Sequence, residues 1–305
     1  MIIELVKYGP PLVGLLLALC VSFLRRRSHV SLPTPDRVST ALGIVFVLAL
    51  MVTFRAWTVW PWWSPFFDED GALFVRLLAF GAPLILSAVA LLSLVPFGRT
   101  TTPRGTAELA PRTLLTFAPR GSLIGVVAAI VLVVVVSVSA GLISGPDADG
   151  RFVMYNVDAS ANSGGSTTIY GWWFSIPCLV AIAVLVALAL IELLVISRPP
   201  LAADRLTDSR IRTTRVRNIL TVMTGGLLLH VGEVLLSLFG TSSLRLTFSS
   251  EPSGVISLGA SFAALGPALL VASYIAITLG FTFWFVVLLS TVSAPFSRLS
   301  GSVRR

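Results

Sequence analysis

Seven long apolar stretches run through this chain, and the loops between them are by turns rich and poor in arginine. That alternation constrains the fold more than any motif does. Lipid leaves no water for an unpaired backbone group, so a segment crossing it is a helix or part of a closed barrel. The apolar runs lack the period-2 alternation of barrel strands and are long enough for helices that span a bilayer. Spans are expected at residues 9–24, 38–56, 72–96, 121–144, 172–197, 218–240 and 264–292. The fold class is an all-α polytopic membrane protein, one transmembrane helical domain over residues 1–305, with small β-hairpins in the outer loops. Composition agrees: 55% of residues are hydrophobic and 12% charged, about half the charged fraction of a soluble domain.

Orientation follows from arginine. The loops after the odd-numbered spans carry Arg25, Arg26, Arg27 and Arg37, then Arg99, Arg104, Arg112 and Arg120, then Arg198, Arg205, Arg210, Arg212, Arg215 and Arg217. With Arg298, Arg304 and Arg305 of the tail, 17 of the 22 Lys and Arg lie on one side. The other side holds Lys7, Arg55, Arg151 and Arg245, and Arg76 lies within a span. Basic residues are retained in the cytoplasm, which predicts an outside N-terminus and a cytoplasmic C-terminus. Arg25, Arg26 and Arg27 follow the first apolar core, whereas a cleavable signal peptide carries its charge before the core. The first span is therefore expected to remain in the membrane. The net charge of +8 belongs to this topology and to anionic lipid, not to nucleic acid, for which there is no basic domain.

Six of the seven tryptophans fall at the outer edge: Trp57, Trp60, Trp62 and Trp63 after the second span, Trp172 and Trp173 opening the fifth. Indoles favour the headgroup layer, with the ring in apolar surroundings and the N–H toward water. Two outer loops read as short hairpins. In one, residues 151–157 and 167–170 flank a Ser/Gly/Asn stretch. In the other, residues 244–248 and 255–258 flank Glu251-Pro252-Ser253-Gly254. Tyr8-Gly9, Phe80-Gly81 and Tyr170-Gly171, followed by Pro10, Pro83 and Pro177, form an internal echo at spans that start outside. Repeated helical hairpins of this kind occur in transporters.

Function is expected at the ionisable groups inside the spans, which cost about 2.5–3.5 kcal/mol each at mid-depth. These are Arg76, Glu192, His230 and Glu233. His230 and Glu233 share a face of the sixth span. Depth places Arg76 within reach of Glu233, which predicts an Arg76–Glu233 ion pair. Gly225, Gly226 and Gly232 allow close helix approach around it. Glu192 lies one turn from the inner end of the fifth span, either snorkelling toward the basic loop or facing the core as an inner station of a path. Tyr274, Thr278 and Thr282 add polar atoms on the seventh. Arg76, Glu192, His230, Glu233 and Tyr274 are thus the candidate substrate or proton pathway.

Several chemistries lack their residues. Lys7 is the sole lysine and precedes the first span, so no intramembrane Schiff base forms. His29 is in a loop, which leaves His230 and Glu233 short of the three or four ligands zinc requires. No cofactor or metal is expected. A phosphate loop is absent, and Asp147-Ala148-Asp149-Gly150 carries only a fragment of a calcium loop. Cys20 and Cys178 lie at different depths and are not expected to pair. A small permease, or the membrane subunit of a transport assembly, fits these residues best. The alternatives are a non-transporting assembly or sensory protein whose charges hold the bundle, and an intramembrane enzyme using His230 and Glu233. The lipid bilayer is one partner, and the Arg198–Arg217 loop is the surface for a cytoplasmic one. Short loops without other targeting features point to a bacterial inner membrane.

Overall fold

The computed structural model describes residues 2–24, 34–58, 68–95, 117–160, 163–197, 205–250 and 254–292. Trp60, Trp62, Trp63, His29, Arg25–Arg27, Arg99, Arg104, Arg112, Arg198 and the tail arginines lie outside the described residues, as does Glu251-Pro252-Ser253. Among the described residues seven α-helices form: α1 (Ile2–Leu24), α2 (Thr34–Thr58), α3 (Glu69–Leu92), α4 (Arg120–Leu142), α5 (Trp172–Ser197), α6 (Arg205–Ser242) and α7 (Gly266–Val292). Six, α2 to α7, are long and apolar enough to cross a membrane, and the apolar part of α1, Tyr8–Leu24, is shorter. The chain is an integral, multi-pass membrane protein. Its lipid-facing surfaces are apolar: α4 exposes Ile124, Val127, Val131, Val135 and Val138 along one stripe, the spacing of a single helical face.

The bundle is organised around α6. Of its spanning window 72% is buried, against 28–44% for the other spans. At 38 residues it runs about 57 Å at 1.5 Å per residue, far beyond the roughly 30 Å of hydrocarbon. Most of the basic segment expected as a loop is thus a continuation of the sixth span. No glycine or proline interrupts residues 205–223, and Asp208 holds Arg212 one turn on. Close approach comes from glycine. A side chain at Gly226 would collide with Ser87 of α3, and one at Gly225 would meet the Trp284 indole of α7 at 2.6 Å. The Trp284 indole donates to the Val222 carbonyl at 3.0 Å, so the one tryptophan outside the outer set locks α7 to α6.

Hairpins close one end. β1 (Gly145–Pro146), β2 (Phe152–Ser160) and β3 (Ser163–Thr168) form an antiparallel sheet between α4 and α5. β4 (Arg245–Ser250) and β5 (Gly254–Gly259) pair between α6 and α7. Both expected hairpins are present, though the second arm of the first is at 163–168 rather than 167–170 and takes in most of the expected Ser/Gly/Asn turn, and the added β1 pairs Gly145 with Met154. Tyr155, Ile169 and Ala260 join the two sheets in a small core. The Tyr155 hydroxyl accepts from the Ser261 backbone at 3.0 Å. Together they make a lid over the end of the bundle where α4 and α6 stop and α5 and α7 begin.

Candidate functional site

At the opposite end, α3, α5 and α7 terminate, and the last carbonyls of a helix have no partner within it. Arginines from the N-terminal parts of the antiparallel neighbours supply the donors. Arg215 of α6 donates to the Leu94 carbonyl just past α3, at 3.4 Å. Arg212 of α6 donates to the Ile196 carbonyl of α5. Arg37 of α2 donates to the Thr291 carbonyl of α7, at 3.1 Å. Cations are also favoured here by the helix dipole. Arg212 is held by Asp208 at 2.7 Å and Arg215 by Asp36 of α2. Arg212 and Arg215 are buried, so these arginines knit the bundle as well as mark its side.

In the other half stands a third buried arginine. Arg55, three residues before the end of α2, forms an ion pair with Glu233 of α6. Arg55 is 1% exposed and Glu233 13%. Only Nη1 of the guanidinium is used: Nε and Nη2 are buried and have no hydrogen-bond partner. Tyr274 of α7 lies within electrostatic range of the same group. The expected Arg76–Glu233 pair does not form. Arg76 is exposed on α3, and among the described residues it has no ion pair. Depth along the helices puts Arg76 level with Glu233, but α2 also ends at that level and its arginine takes the carboxylate. The signal for Arg55 was spacing: Ile44, Leu48, Met51 and Arg55 recur at helical intervals, and all are buried. Arg55 continues a core seam, at the outer edge of the expected 38–56 span, where it counts among the charges of the outer side.

His230 is fully buried and has its own partners. Its Nδ1 lies 2.8 Å from the Phe80 carbonyl of α3. A carbonyl only accepts, so Nδ1 carries the proton and Nε2 faces the Tyr170 hydroxyl, 3.4 Å away, as acceptor. The Phe80 and Tyr170 rings meet edge-on at 4.7 Å. Ser137 and Cys178 side chains also reach the Tyr170 hydroxyl. Two members of the sequence echo therefore meet around one histidine, whereas Tyr8 is 40% exposed on α1. His230 and Glu233, neighbours on one helix face, are committed to different groups.

Glu192 faces the bundle. It continues the buried seam of Cys178, Ile182, Leu185 and Ala189 on α5, is 5% exposed, and neither carboxyl oxygen has a hydrogen-bond partner. Thr282 turns back on its own helix, donating to the Thr278 carbonyl at 2.7 Å.

On the lid side, the Asp147-to-Gly150 turn surrounds an arginine. Arg151 binds Asp147 at 2.7 Å, Asp149 at 2.6 Å and Asp70 of α3, tying the first hairpin to the N-terminus of α3. Partial desolvation pushes the Asp147 carboxyl up. The Arg151 backbone N–H, its guanidinium and the Asp149 N–H outweigh that and hold Asp147 below the ordinary carboxylate value. Hydrogen bonds to Asp70 and then Asp147 push Arg151 up. Among the described residues no three His, Cys, Asp or Glu side chains gather as metal ligands. Cys20 and Cys178 are both free. A groove of about 420 Å³ between α2 and α3, lined by Leu50, Thr53, Phe54, Trp57, Leu78 and Ile85 among others, is almost wholly apolar and holds no charged side chain.

These features define an integral membrane protein with buried charge in its bundle. Compared with family models, curated proteins and solved structures, the chain matches none.

Proposed function

We propose that this is a transport-related membrane protein, a small permease or the membrane subunit of a transport assembly, with its substrate-facing polar site at Arg55, Glu233 and Tyr274 in the outer half. The observation carrying this reading is the Arg55 guanidinium, buried beside Glu233 with two of its three nitrogens unpartnered. A buried polar group without a partner is costly. A donor edge kept free at membrane depth suits an anionic group that arrives and leaves, since guanidinium matches carboxylate or phosphate with paired hydrogen bonds. In this reading the chain threads the bilayer seven times, with α1 as the first span, the N-terminus and the hairpin lid outside, and the C-terminus in the cytoplasm of a bacterial cell. Arginine placement supports that orientation. Glu192, buried and unpartnered in the inner half, serves as a second station, and the Arg198–Arg217 region faces any cytoplasmic partner.

The test is ligand-induced stabilisation of the purified protein by a panel of mono- and dicarboxylates and inorganic phosphate, followed by counterflow of any hit in proteoliposomes. At least one anion is expected to raise the melting temperature and to be exchanged. Arg55→Met should abolish both effects, and Arg76→Met should weaken them less. If no anion stabilises the wild type and none is exchanged, the pair only holds the bundle together and the transport reading fails.

A further inference from the structure

A small polar pocket lies between α1, α6 and α7 at the arginine-rich end, far from Arg55. It has a volume of about 30 Å³ and is lined by Ser22, Arg217, Asn218, Thr221, Val287 and Ser290, among others. Asn218 is 3% exposed, and its Nδ2, which carries two N–H groups, has no hydrogen-bond partner. Ser22, Arg217, Thr221 and Ser290 are half-buried, so the pocket opens at the protein surface. An orphaned N–H needs an acceptor, because leaving a buried donor unmet costs about 1–3 kcal/mol. Thr221 and Ser290 already give their hydroxyl protons to the Arg217 and Val287 carbonyls, at 2.7 and 2.8 Å. The group that completes the pocket therefore brings acceptor atoms, and the Arg217 guanidinium on its wall favours negative charge.

Size and level narrow the ligand further. About 30 Å³ has room for roughly two water-sized atoms, at 10–15 Å³ each, so it takes two oxygens of a larger group whose remainder stays at the mouth. Ser22 lies two residues from the end of α1 and Ser290 two from the end of α7, where apolar helices meet the headgroup layer. Basic pockets between spans at this level hold anionic headgroups.

We infer that the α1/α6/α7 pocket is an oxyanion site that binds a phosphate group through Asn218 Nδ2 and Arg217, supplied by an anionic phospholipid or by free phosphate. The phosphate oxygens accept from the Asn218 amide and the guanidinium, and in the lipid case the acyl chains run along the exposed faces of α1 and α7. Lipid here would clamp α1, the least apolar-extended helix, onto α6 and α7.

The full-length protein is purified in detergent and its melting temperature followed on adding phosphatidylglycerol, phosphatidylcholine or inorganic phosphate. Phosphatidylglycerol is expected to raise it by about 5 °C, as a bound ligand in excess does, and phosphatidylcholine to do little. Stabilisation by inorganic phosphate as well identifies the free anion as sufficient. Asn218→Asp keeps the shape but opposes an anion, and should erase the gain, as should Arg217→Gln. Arg217 has its own contacts within the protein, so Ser22→Ala, at the mild end of the pocket, is included and should reduce the gain without lowering the lipid-free melting temperature. Equal stabilisation by both lipids, no shift with any addition, or a full gain in Asn218→Asp would overturn the inference and leave the pocket to a water molecule.

Discussion

Both halves of this bundle bury arginine beside a carboxylate, yet they do so in different ways. At the end where α3, α5 and α7 stop, Arg215 bonds Asp36 and also the Leu94 carbonyl, and Arg212 bonds Asp208 and also the Ile196 carbonyl. Each guanidinium there completes a helix terminus that would otherwise be left open. Arg55 in the other half meets Glu233 and no helix end, and two of its nitrogens have no partner. The same residue type is a fastener where carbonyls need donors and is left with two unpartnered nitrogens where none do. A charged side chain in a span acquires its meaning from what surrounds its remaining hydrogen-bonding atoms.

Double-mutant cycles on the two pairs would break this contrast most directly. Removing one partner of a buried ion pair costs about 3–5 kcal/mol. Arg215→Met and Arg55→Met are each expected to lose that much in unfolding experiments. The doubles should then diverge. Arg55→Met/Glu233→Met removes both charges together and should recover most of the loss, because apolar replacement of a buried pair is often neutral or better. Asp36→Leu/Arg215→Met should not recover, since the Leu94 carbonyl still loses its donor. Equal recovery in the two cycles would mean that the terminal carbonyl contacts contribute nothing.

Glu192 sharpens the comparison from the opposite direction. It is in the same half as Arg212 and Arg215 but has no partner for either oxygen. A buried polar group with no compensating bond carries a penalty of about 1–3 kcal/mol. Glu192→Leu should therefore raise stability by a similar amount. A transport path that uses this carboxyl would lose turnover in the same variant. A stable protein with intact counterflow would assign Glu192 no role, and a destabilised one would show that it has a partner in the membrane.

Much of this was legible in the chain before its fold was seen. The six long apolar helices followed from apolar length, and the hairpins expected at 151–170 and 244–258 from alternation and turn residues. The close approach at Gly225 and Gly226 also followed, because small residues on a buried helix have few other uses. The partner of Glu233 was not legible. Depth can be counted along a helix at 1.5 Å per residue, but rotation about the bundle axis cannot, and three helices bring atoms to the level of Glu233. Periodicity held the missing information: Ile44, Leu48, Met51 and Arg55 lie on one stripe. The arginine caps on α3, α5 and α7 were hidden for a related reason. Arg37, Arg212 and Arg215 had been accounted for as topology markers, and nothing in composition tells a marker exposed to headgroups from one buried against a carbonyl. The length of α6 was missed because polar sequence outside the bilayer does not resemble a span.

The mildest expected effect is at the lid, where Arg151 gathers Asp70, Asp147 and Asp149. Here the arginine is neither buried nor a helix cap, so solvent screens its contacts and each should contribute little. Asp147 supplies the pH dependence. Its carboxyl is held below the ordinary value of 3.8, so its contribution is complete above that pH and is lost as the pH falls through the lowered value. Hydrogen exchange of the β2–β3 hairpin amides should therefore be unchanged at neutral and mildly acidic pH, once corrected for the intrinsic rate, and accelerate only as the pH falls below 3.8. Asp147→Asn should flatten that step while leaving the α6–α7 amides protected throughout. A step of the same size in the bundle would mean that the lid and the helices open as one unit, and the division between loosely held charge outside and tightly held charge inside would have to be abandoned.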